Sequence, residues 1–317
     1  MTSTWFAKPV LEVVCESPDS TLLYRDVPFV LKGSARDWPA YEKWDIKYLV
    51  ENCPLSEVSL RDLTNPGSLV QMELKNYLLL LMTDCPSSRN LYLGSWDYKR
   101  FWPALSHDVG IPNLFGKNLI NAFKEIIHFP STTLFLGHAG TYTKAHTDVY
   151  MVGTYLSQIR GSKHIRLCDS FQNNAMHPEM NLFDSHTVSI LGASGHEVYD
   201  VILEPGDIVY FPPGWWHQVE NLGYSLAISH NFVSEANVPV VEQQIRSKLL
   251  KPLFELRNQL SPLALSDDKS EATVKTLEHA SFDKREALFK SSILSTIQLS
   301  IDFLANNHHQ NSGSAEC

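Results

Sequence analysis

Seven short apolar runs separated by turn residues occupy the chain between positions 132 and 233. Each run is four to seven residues long, a length typical of a strand rather than of a helix. The runs lie at 133–136, 154–159, 163–167, 187–191, 198–203, 208–211 and 226–232. Many short strands at this spacing predict a closed or double-sheet β structure, and a jelly-roll barrel would hold a ligand site near its mouth.

The flanking segments have mixed and helical patterns. On the N-terminal side the pattern predicts strands at 27–31, 58–60 and 91–93, and helices at 45–52 (with Asp45 as the N-cap), 74–82 and 114–127. On the C-terminal side, apolar residues at three- and four-residue spacing predict helices over 238–260, kinked at Pro252, and over 269–304. The predicted fold is therefore mainly β with helical additions: a jelly-roll core flanked by N-terminal α/β elements and C-terminal helices.

Three regions follow from this pattern. Residues 1–20 are expected to form a loosely held leader, and residues 21–235 a principal domain whose core is 132–233. Residues 236–317 are expected to form a helical region that ends in a polar tail. The C-terminal helices either cover the barrel or form a homodimer interface, and the sequence leaves both alternatives open.

Composition narrows the class of protein. The 317 residues are 44% hydrophobic and 19% charged, as in an ordinary globular protein, and the net charge of −9 disfavours a nucleic-acid-binding surface. The five cysteines form no CxxC pair, so neither a disulfide framework nor a structural zinc site is expected. The N-terminus lacks the pattern of a signal peptide, and the apolar run 77–82 is too short to cross a membrane. A cytoplasmic protein is expected, with the nucleus as the alternative.

The candidate chemistry begins with His146-Thr147-Asp148 and with His217, 71 residues after His146. Side chains at i and i+2 of a strand share one face, so His146 and Asp148 can bind the same ion. Two imidazoles and one carboxylate are the ligand set of mononuclear non-haem Fe(II) oxygenases. His217 follows the break Pro212-Pro213-Gly214, which re-aims the chain after a predicted strand and would bring this imidazole to the barrel mouth.

An Fe(II) oxygenase of this type needs O2 and an electron-donating co-substrate, usually 2-oxoglutarate. The distal carboxylate of 2-oxoglutarate needs a cation and hydroxyl donors, for which the candidates are Lys163, Thr143 and Tyr92. Asn231, at the end of the strand after His217, is the candidate partner of the carboxylate near the metal.

These residues lie in motifs that resemble a JmjC domain. The motifs are Thr-Lys-Ala-His-Thr-Asp at 143–148, Gln-Ile-Arg-Gly-Ser-Lys at 158–163, the segment 206–222 that contains Phe-Pro-Pro-Gly-Trp-Trp-His, and Ile-Ser-His-Asn-Phe-Val at 228–233. The segments 27–44 and 90–96 are similar to the opening of the superfamily and to the strand that carries its co-substrate tyrosine. The resemblance covers residues 20–250 and is closest to the JmjC protein lysyl hydroxylases.

The resemblance implies that His146, Asp148 and His217 bind iron and that Lys163, Thr143, Tyr92 and Asn231 bind 2-oxoglutarate, with Ser229 assisting. One position departs from the family: Leu156 stands where the lysyl hydroxylases carry an asparagine, and leucine cannot donate a hydrogen bond.

The activity implied is hydroxylation of a protein side chain, with lysine the first candidate, and formation of succinate and CO2. Demethylation of N-methyl lysine or arginine, and hydroxylation of a small molecule or a tRNA base, are alternatives with the same chemistry. A non-catalytic cupin-like binding module is the alternative from another class. The partner expected is a protein or peptide substrate, with no nucleic acid and no membrane.

Overall fold

The computed structural model describes residues 6–14, 20–123, 129–169 and 175–247. The strands in chain order are β1 Lys8–Pro9, β2 Leu11–Val13, β3 Phe29–Leu31, β4 Glu57–Asp62, β5 Leu69–Glu73, β6 Leu91–Trp96, β7 Thr132–Gly137, β8 Tyr142–His146, β9 Gly153–Arg160, β10 Lys163–Cys168, β11 Val198–Leu203, β12 Ile208–Phe211, β13 Trp216–Asn221 and β14 Ser225–Phe232. The α-helices are α1 Pro39–Lys43, α2 Ile46–Asn52, α3 Leu74–Met82, α4 Tyr98–Phe101, α5 Ser185–Ala193 and α6 Val238–Ile245. Short 3-10 helices lie at Ser20–Tyr24, Pro86–Ser88, Pro103–Asp108, Asn113–Phe115, Leu119–Phe123 and Val149–Met151.

The strands form two sheets. The five-stranded sheet has the order β1-β11-β10-β13-β8, and the nine-stranded sheet has the order β2-β3-β12-β9-β14-β7-β6-β4-β5. From β7 onwards the chain passes repeatedly from one sheet to the other, as a jelly roll requires. The predicted fold class, mainly β with a jelly-roll core, is confirmed.

Alternating residues of the nine-stranded sheet enter two separate apolar clusters. Leu156, Val209 and Phe211 pack with Ile165 and Leu167 of the five-stranded sheet and fill the space between the sheets. Tyr155 and Tyr210, which alternate with these residues along the same strands, face the opposite side of the sheet. There they belong to a cluster with residues of the helical part, among them Trp44, Tyr77 and Tyr98. The period of two in the sequence thus separates a core inside the barrel from a core under the helices.

Several local predictions are confirmed. The strands at 198–203 and 208–211 and the helix at 74–82 have the predicted bounds. Asp45 caps α2, because its side chain accepts a hydrogen bond of 2.7 Å from the backbone N–H of Tyr48.

Two local predictions are wrong. The run 187–191 lies in helix α5 rather than in a strand, because Asp184 accepts from the backbone N–H of Thr187 and starts a helix. The predicted helix 114–127 is replaced, as far as residue 123, by two 3-10 segments. Gly116, with φ of 53°, ends the first segment, and the side chain of Asn118 accepts from the backbone N–H groups of Ile120 and Val233. Residues 124–128 lie outside the described residues.

The region expected to form a leader contains two short strands. β1 pairs in parallel with β11, and β2 pairs in parallel with β3. Val10, between β1 and β2, is 5% exposed. A sequence pattern of three residues carries too little periodicity to predict such strands.

The chain divides into two compact units, Met1–Val241 and Glu242–Cys317. Helix α6 begins at the residue predicted for it, and of the second unit only residues 242–247 are described. The predicted kink at Pro252, the helix 269–304 and the polar tail lie outside the described residues, and the predicted domain limits stay predictions. Within the described part of the chain, no helix combines the length and apolarity needed to cross a membrane.

Candidate metal centre and co-substrate pocket

The three predicted metal ligands lie together. His146 ends β8, His217 is the second residue of β13, and the two residues are direct partners in the antiparallel ladder. Asp148 follows with an extended backbone, φ −67° and ψ 146°, which returns its side chain to the face that carries His146. One ligand atom from each of the three side chains lies within 4.8 Å of the other two.

Both histidines have the same orientation and tautomer. Nδ1 of His146 lies 2.8 Å from the carbonyl oxygen of Lys144, and Nδ1 of His217 lies 3.1 Å from the carbonyl oxygen of Trp215. A carbonyl oxygen only accepts, so Nδ1 carries the proton in each ring and Nε2 keeps its lone pair for a metal. Backbone carbonyls two residues upstream therefore orient both imidazoles.

Burial keeps His217 neutral. Desolvation, together with the nearby His146, lowers the pKa of His217 to about 4. The ring of Phe211 stacks on that of His217 with the centroids 4.6 Å apart, which excludes water from one face. The His217 imidazole is therefore available as a ligand at physiological pH without first losing a proton.

A cavity of about 720 Å³ opens at these three residues and extends between the two sheets. It is lined by every residue that the sequence analysis assigned to the site: the ligands His146, Asp148 and His217, and the co-substrate candidates Lys163, Thr143, Tyr92, Ser229 and Asn231. The roles of these residues stay predictions, but their common location is a property of the fold.

Lys163 places a buried cation at the inner part of this cavity. It is the first residue of β10 and only 1% exposed, and burial lowers its pKa to about 7. Its Nζ donates to Oδ1 of Asn221, which faces it across the ladder. Nδ2 of Asn221 donates to Thr141 (2.7 Å), whose hydroxyl donates to the carbonyl oxygen of His138 (2.7 Å). In the described part of the chain no carboxylate forms an ion pair with Lys163, so the site suits an anion that enters with its own charge.

Tyr92 lies beside this lysine. Its ring centroid is 5.9 Å from Nζ of Lys163, and burial raises the pKa of its phenol to about 12, against the lowering effect of hydrogen bonds from Thr143 and Asn221. Gly137 leaves room for the Tyr92 ring, because a Cβ at position 137 would lie 2.7 Å from that ring and 2.5 Å from the Thr141 hydroxyl. Tyr92, Thr143 and Lys163 thus provide two hydroxyl groups and one cation at one end of the cavity.

Similarity to known proteins identifies the family of this chain. A family model for a cupin-like domain matches residues 17–237, most of the chain. The chain belongs to the cupin-like domain family. Among its curated relatives are the "Bifunctional arginine demethylase and lysyl-hydroxylase psr-1" of Caenorhabditis elegans, 25% identical over 68% of this chain and 58% of the relative, and the "2-oxoglutarate and iron-dependent oxygenase JMJD4" of Gallus gallus, 27% identical over 73% of this chain and 59% of the relative. The "Lysine-specific demethylase JMJ30" of Arabidopsis thaliana is 29% identical over 66% of this chain and 50% of the relative.

These relatives confirm the resemblance to JmjC proteins. The chain spans between half and three fifths of the length of the three relatives named. They are named as an oxygenase, a lysyl hydroxylase and demethylases, so the identity of about 25% to 29% does not separate these activities.

In this cupin-like domain the strand β9 presents one polar and one apolar residue to the cavity beside the candidate metal ligands. Asn231 and Ser229 of β14 face the cavity opposite Thr154 and Leu156 of β9. The Thr154 hydroxyl lies 2.6 Å from Oδ2 of Asp148 and 2.8 Å from Oδ1 of Asn231. The leucine noted in the sequence therefore faces the cavity as an apolar wall, and the polar contact to Asp148 comes from Thr154.

Two residues that contact the predicted site, Asn221 and Thr154, were not predicted from the sequence. Asn221, the partner of Lys163, stands at i+4 from His217 on β13, so strand alternation alone places it on the same face. Thr154 stands two residues before Leu156 and shares its face by the same rule. Its contact with Asp148 depends on the turn between β8 and β9, for which the sequence gives no comparable signal.

Proposed function

We propose that this chain is an Fe(II)- and 2-oxoglutarate-dependent oxygenase that hydroxylates a protein side chain, with a lysyl side chain as the first candidate. The observation that carries the proposal is the coexistence of two features in one cavity. A His-Asp-His group able to bind a metal lies at its opening, and the buried, unneutralised cation of Lys163 lies deeper. A dicarboxylic co-substrate that chelates a metal at one end needs this pair of sites.

The donor set fits Fe(II). His146 and His217 would each offer a neutral Nε2, and Asp148 a carboxylate oxygen, which leaves the remaining metal positions to the co-substrate and O2. Bound Fe(II) would supply the activation of O2 that oxidises 2-oxoglutarate to succinate and CO2 and inserts the second oxygen atom into a substrate C–H bond.

The chain's own residues bind, orient and exclude water. Lys163 would neutralise the distal carboxylate of 2-oxoglutarate, while Tyr92 and Thr143 would donate hydrogen bonds to it. Asn231 would contact the co-substrate near the metal, with Ser229 beside it. Leu156, Phe211 and Val219 line the same cavity with apolar surface and would keep water from the reacting centre.

Demethylation is the second candidate, and the names of two relatives support it. Both psr-1 of Caenorhabditis elegans and JMJ30 of Arabidopsis thaliana are named as demethylases. Hydroxylation of an N-methyl carbon gives a hydroxymethyl amine that loses formaldehyde, so the same site would serve both reactions. The substrate decides the product.

Substrate capture followed by mass spectrometry tests the proposal. The full chain, loaded with Mn(II) and an unreactive 2-oxoglutarate analogue, would be used to capture protein partners, which are then incubated with Fe(II), 2-oxoglutarate and O2. A gain of about 16 Da identifies hydroxylation, and a loss of about 14 Da identifies demethylation. The double variant His146→Ala, Asp148→Ala is the matched control.

Two results would overturn the proposal. Succinate formation at the full rate by the double variant would show that the His-Asp-His group is not the reaction centre. A purified chain with affinity for neither divalent transition metals nor 2-oxoglutarate would point instead to a non-catalytic cupin-like binding module.

The cellular setting is also a proposal. Cys53 and Cys85 form no disulfide bond, which supports a reducing compartment, the cytoplasm or the nucleus. A protein or peptide substrate agrees with the names of two relatives, which describe action on lysine or arginine. A homodimer through the C-terminal helices concerns residues outside the described part of the chain and stays a prediction.

A further inference from the structure

The carboxylate of Asp148 lacks the backbone support that the other two ligands have. His146 and His217 lie in paired strands, whereas β8 ends at His146 and Asp148 begins the 3-10 turn Val149–Met151. Tyr150 and Met151 in that turn have φ of 59° and 57°, a conformation that side chains rarely adopt. The Asp148 side chain does not cap its own turn, so its orientation depends on another contact.

Thr154 supplies that contact from a rigid strand. It lies in β9, is 3% exposed, and is the ladder partner of Asn231. Its hydroxyl is 2.6 Å from Oδ2 of Asp148, the only side-chain hydrogen bond that the described residues make to this carboxylate. We propose that Thr154 is a positioning residue that holds the carboxylate of Asp148 in its metal-binding orientation.

The hydroxyl of Thr154 also contacts Asn231, and its single proton decides the direction of both hydrogen bonds. The Thr154 hydroxyl has one proton, and an ionised carboxylate can only accept, so this proton goes to Asp148. The structure places Oδ1 of Asn231 at the 2.8 Å contact with Thr154, but the single hydroxyl proton cannot go to both Asp148 and this oxygen. Our proposal therefore exchanges the oxygen and nitrogen of the Asn231 amide, so that its NH2 group donates to the Thr154 oxygen. Asn231 is fixed in turn, because its backbone carbonyl accepts from Nδ2 of Asn118 at 2.9 Å.

In the proposed arrangement Asn118 donates to the backbone carbonyl of Asn231, the exchanged amide of Asn231 donates to Thr154, and Thr154 donates to Asp148. A threonine that merely satisfied its own buried hydroxyl would need one acceptor, and a backbone carbonyl would suffice. Thr154 instead links a metal ligand to a co-substrate residue, so a change at Asn231 is expected to reach the metal through Thr154. This inference rests on the proposed function only in taking the His-Asp-His group as a metal site.

Metal affinity, measured without turnover, tests the inference. Mn(II) would be titrated into the full-length wild type and the variants Thr154→Val, Thr154→Ala and Thr154→Ser, with the dissociation constant read by calorimetry. Loss of the hydroxyl in the valine and alanine variants is expected to weaken Mn(II) binding about 10- to 100-fold, as for other groups that orient metal ligands. The serine variant keeps the hydroxyl and is expected to bind within about threefold of the wild type.

Ser157→Ala is the matched control. It removes a buried hydroxyl from the same strand, and that hydroxyl has no hydrogen-bond partner in the described part of the protein. It is expected to leave the Mn(II) dissociation constant unchanged. Should the valine variant fail to fold, the serine and alanine pair, which differs by one oxygen atom, gives the same comparison.

The outcomes separate the inference from the proposed function. Mn(II) binding by Thr154→Ala or Thr154→Val within twofold of the wild type overturns the positioning role while leaving the metal site intact. A wild-type chain that binds no Mn(II) overturns the metal site itself. Equal weakening by Ser157→Ala would show a general loss of packing in β9 and would also overturn the specific role of Thr154.

Discussion

Raising the pH from 6 to 8 is expected to weaken the binding of 2-oxoglutarate to the metal-loaded protein about tenfold. The physical reason is the pKa of Lys163, which burial lowers to about 7. At a pH below this pKa most Lys163 side chains are charged and can neutralise the distal carboxylate of 2-oxoglutarate. At a pH above it most are neutral and must first take up a proton. Binding of the dianion favours the charged form and raises the pKa of Lys163 in the complex.

The magnitude follows from the fraction of Lys163 that is protonated in the free protein. With a pKa of about 7, about nine tenths of the side chains are charged at pH 6 and about one in eleven at pH 8. The apparent dissociation constant is the intrinsic one divided by this fraction, which gives a ratio of about 10 between the two pH values. Binding should also take up about half a proton at pH 7 and about nine tenths of a proton at pH 8.

Isothermal titration calorimetry with saturating Mn(II) measures both quantities, if each titration is repeated in buffers of different ionisation enthalpy. Pyruvate is the matched control ligand, because it keeps the 2-oxo acid that chelates the metal and lacks the distal carboxylate. Its binding should be far less dependent on pH. A dissociation constant of 2-oxoglutarate that does not change between pH 6 and 8, with no proton uptake, would refute the assignment of Lys163.

Three other variants test separate parts of the fold. Lys163→Met should abolish 2-oxoglutarate binding. It should also stabilise the ligand-free protein by roughly 1–2 kcal/mol in thermal unfolding, because removing a desolvated cation outweighs leaving Asn221 without its hydrogen-bond donor. A lower melting temperature would contradict this. Gly137→Ala should displace Tyr92, weaken 2-oxoglutarate binding about tenfold or more and destabilise the fold by roughly 1–3 kcal/mol in urea unfolding; unchanged affinity would show that the Tyr92 position does not matter. Asp184→Ala should remove the N-cap of α5 and lower the unfolding free energy by roughly 1 kcal/mol with no change in Mn(II) affinity; a change in that affinity would contradict the separation of α5 from the site.

The grouping of His146, Asp148 and His217 could be predicted because its signals are local. His146 and Asp148 are two residues apart, so their side chains share one face of a strand. The Pro-Pro-Gly break marks the end of the buried strand that precedes His217. Lys163 follows the turn at Gly161 that returns the chain to the five-stranded sheet. Each of these inferences needs only a few neighbouring residues.

The parts that were missed depend on contacts between distant segments. Thr154 meets Asp148 across the turn at 149–151, which connects β8 to β9 and has Tyr150 and Met151 at positive φ. The helix α5 was mistaken for a strand because a short apolar run fits both periods, although the capping residue Asp184 was visible in the sequence. The segment 114–123 is shaped by hydrogen bonds between Asn118 and the backbone of Asn231 and Val233, 113 and 115 residues away.

The site is assembled across the gap between the two sheets. The five-stranded sheet carries His146, His217 and Lys163, while the nine-stranded sheet carries Tyr92 and Asn231. The apolar layer between the sheets therefore sets the distance from the candidate metal ligands His146 and His217 to the opposite wall. Shortening a side chain in that layer, such as Ile165, is expected to change the width of the pocket without altering a candidate ligand, so the affinity for the proposed co-substrate should respond to substitutions in the hydrophobic core.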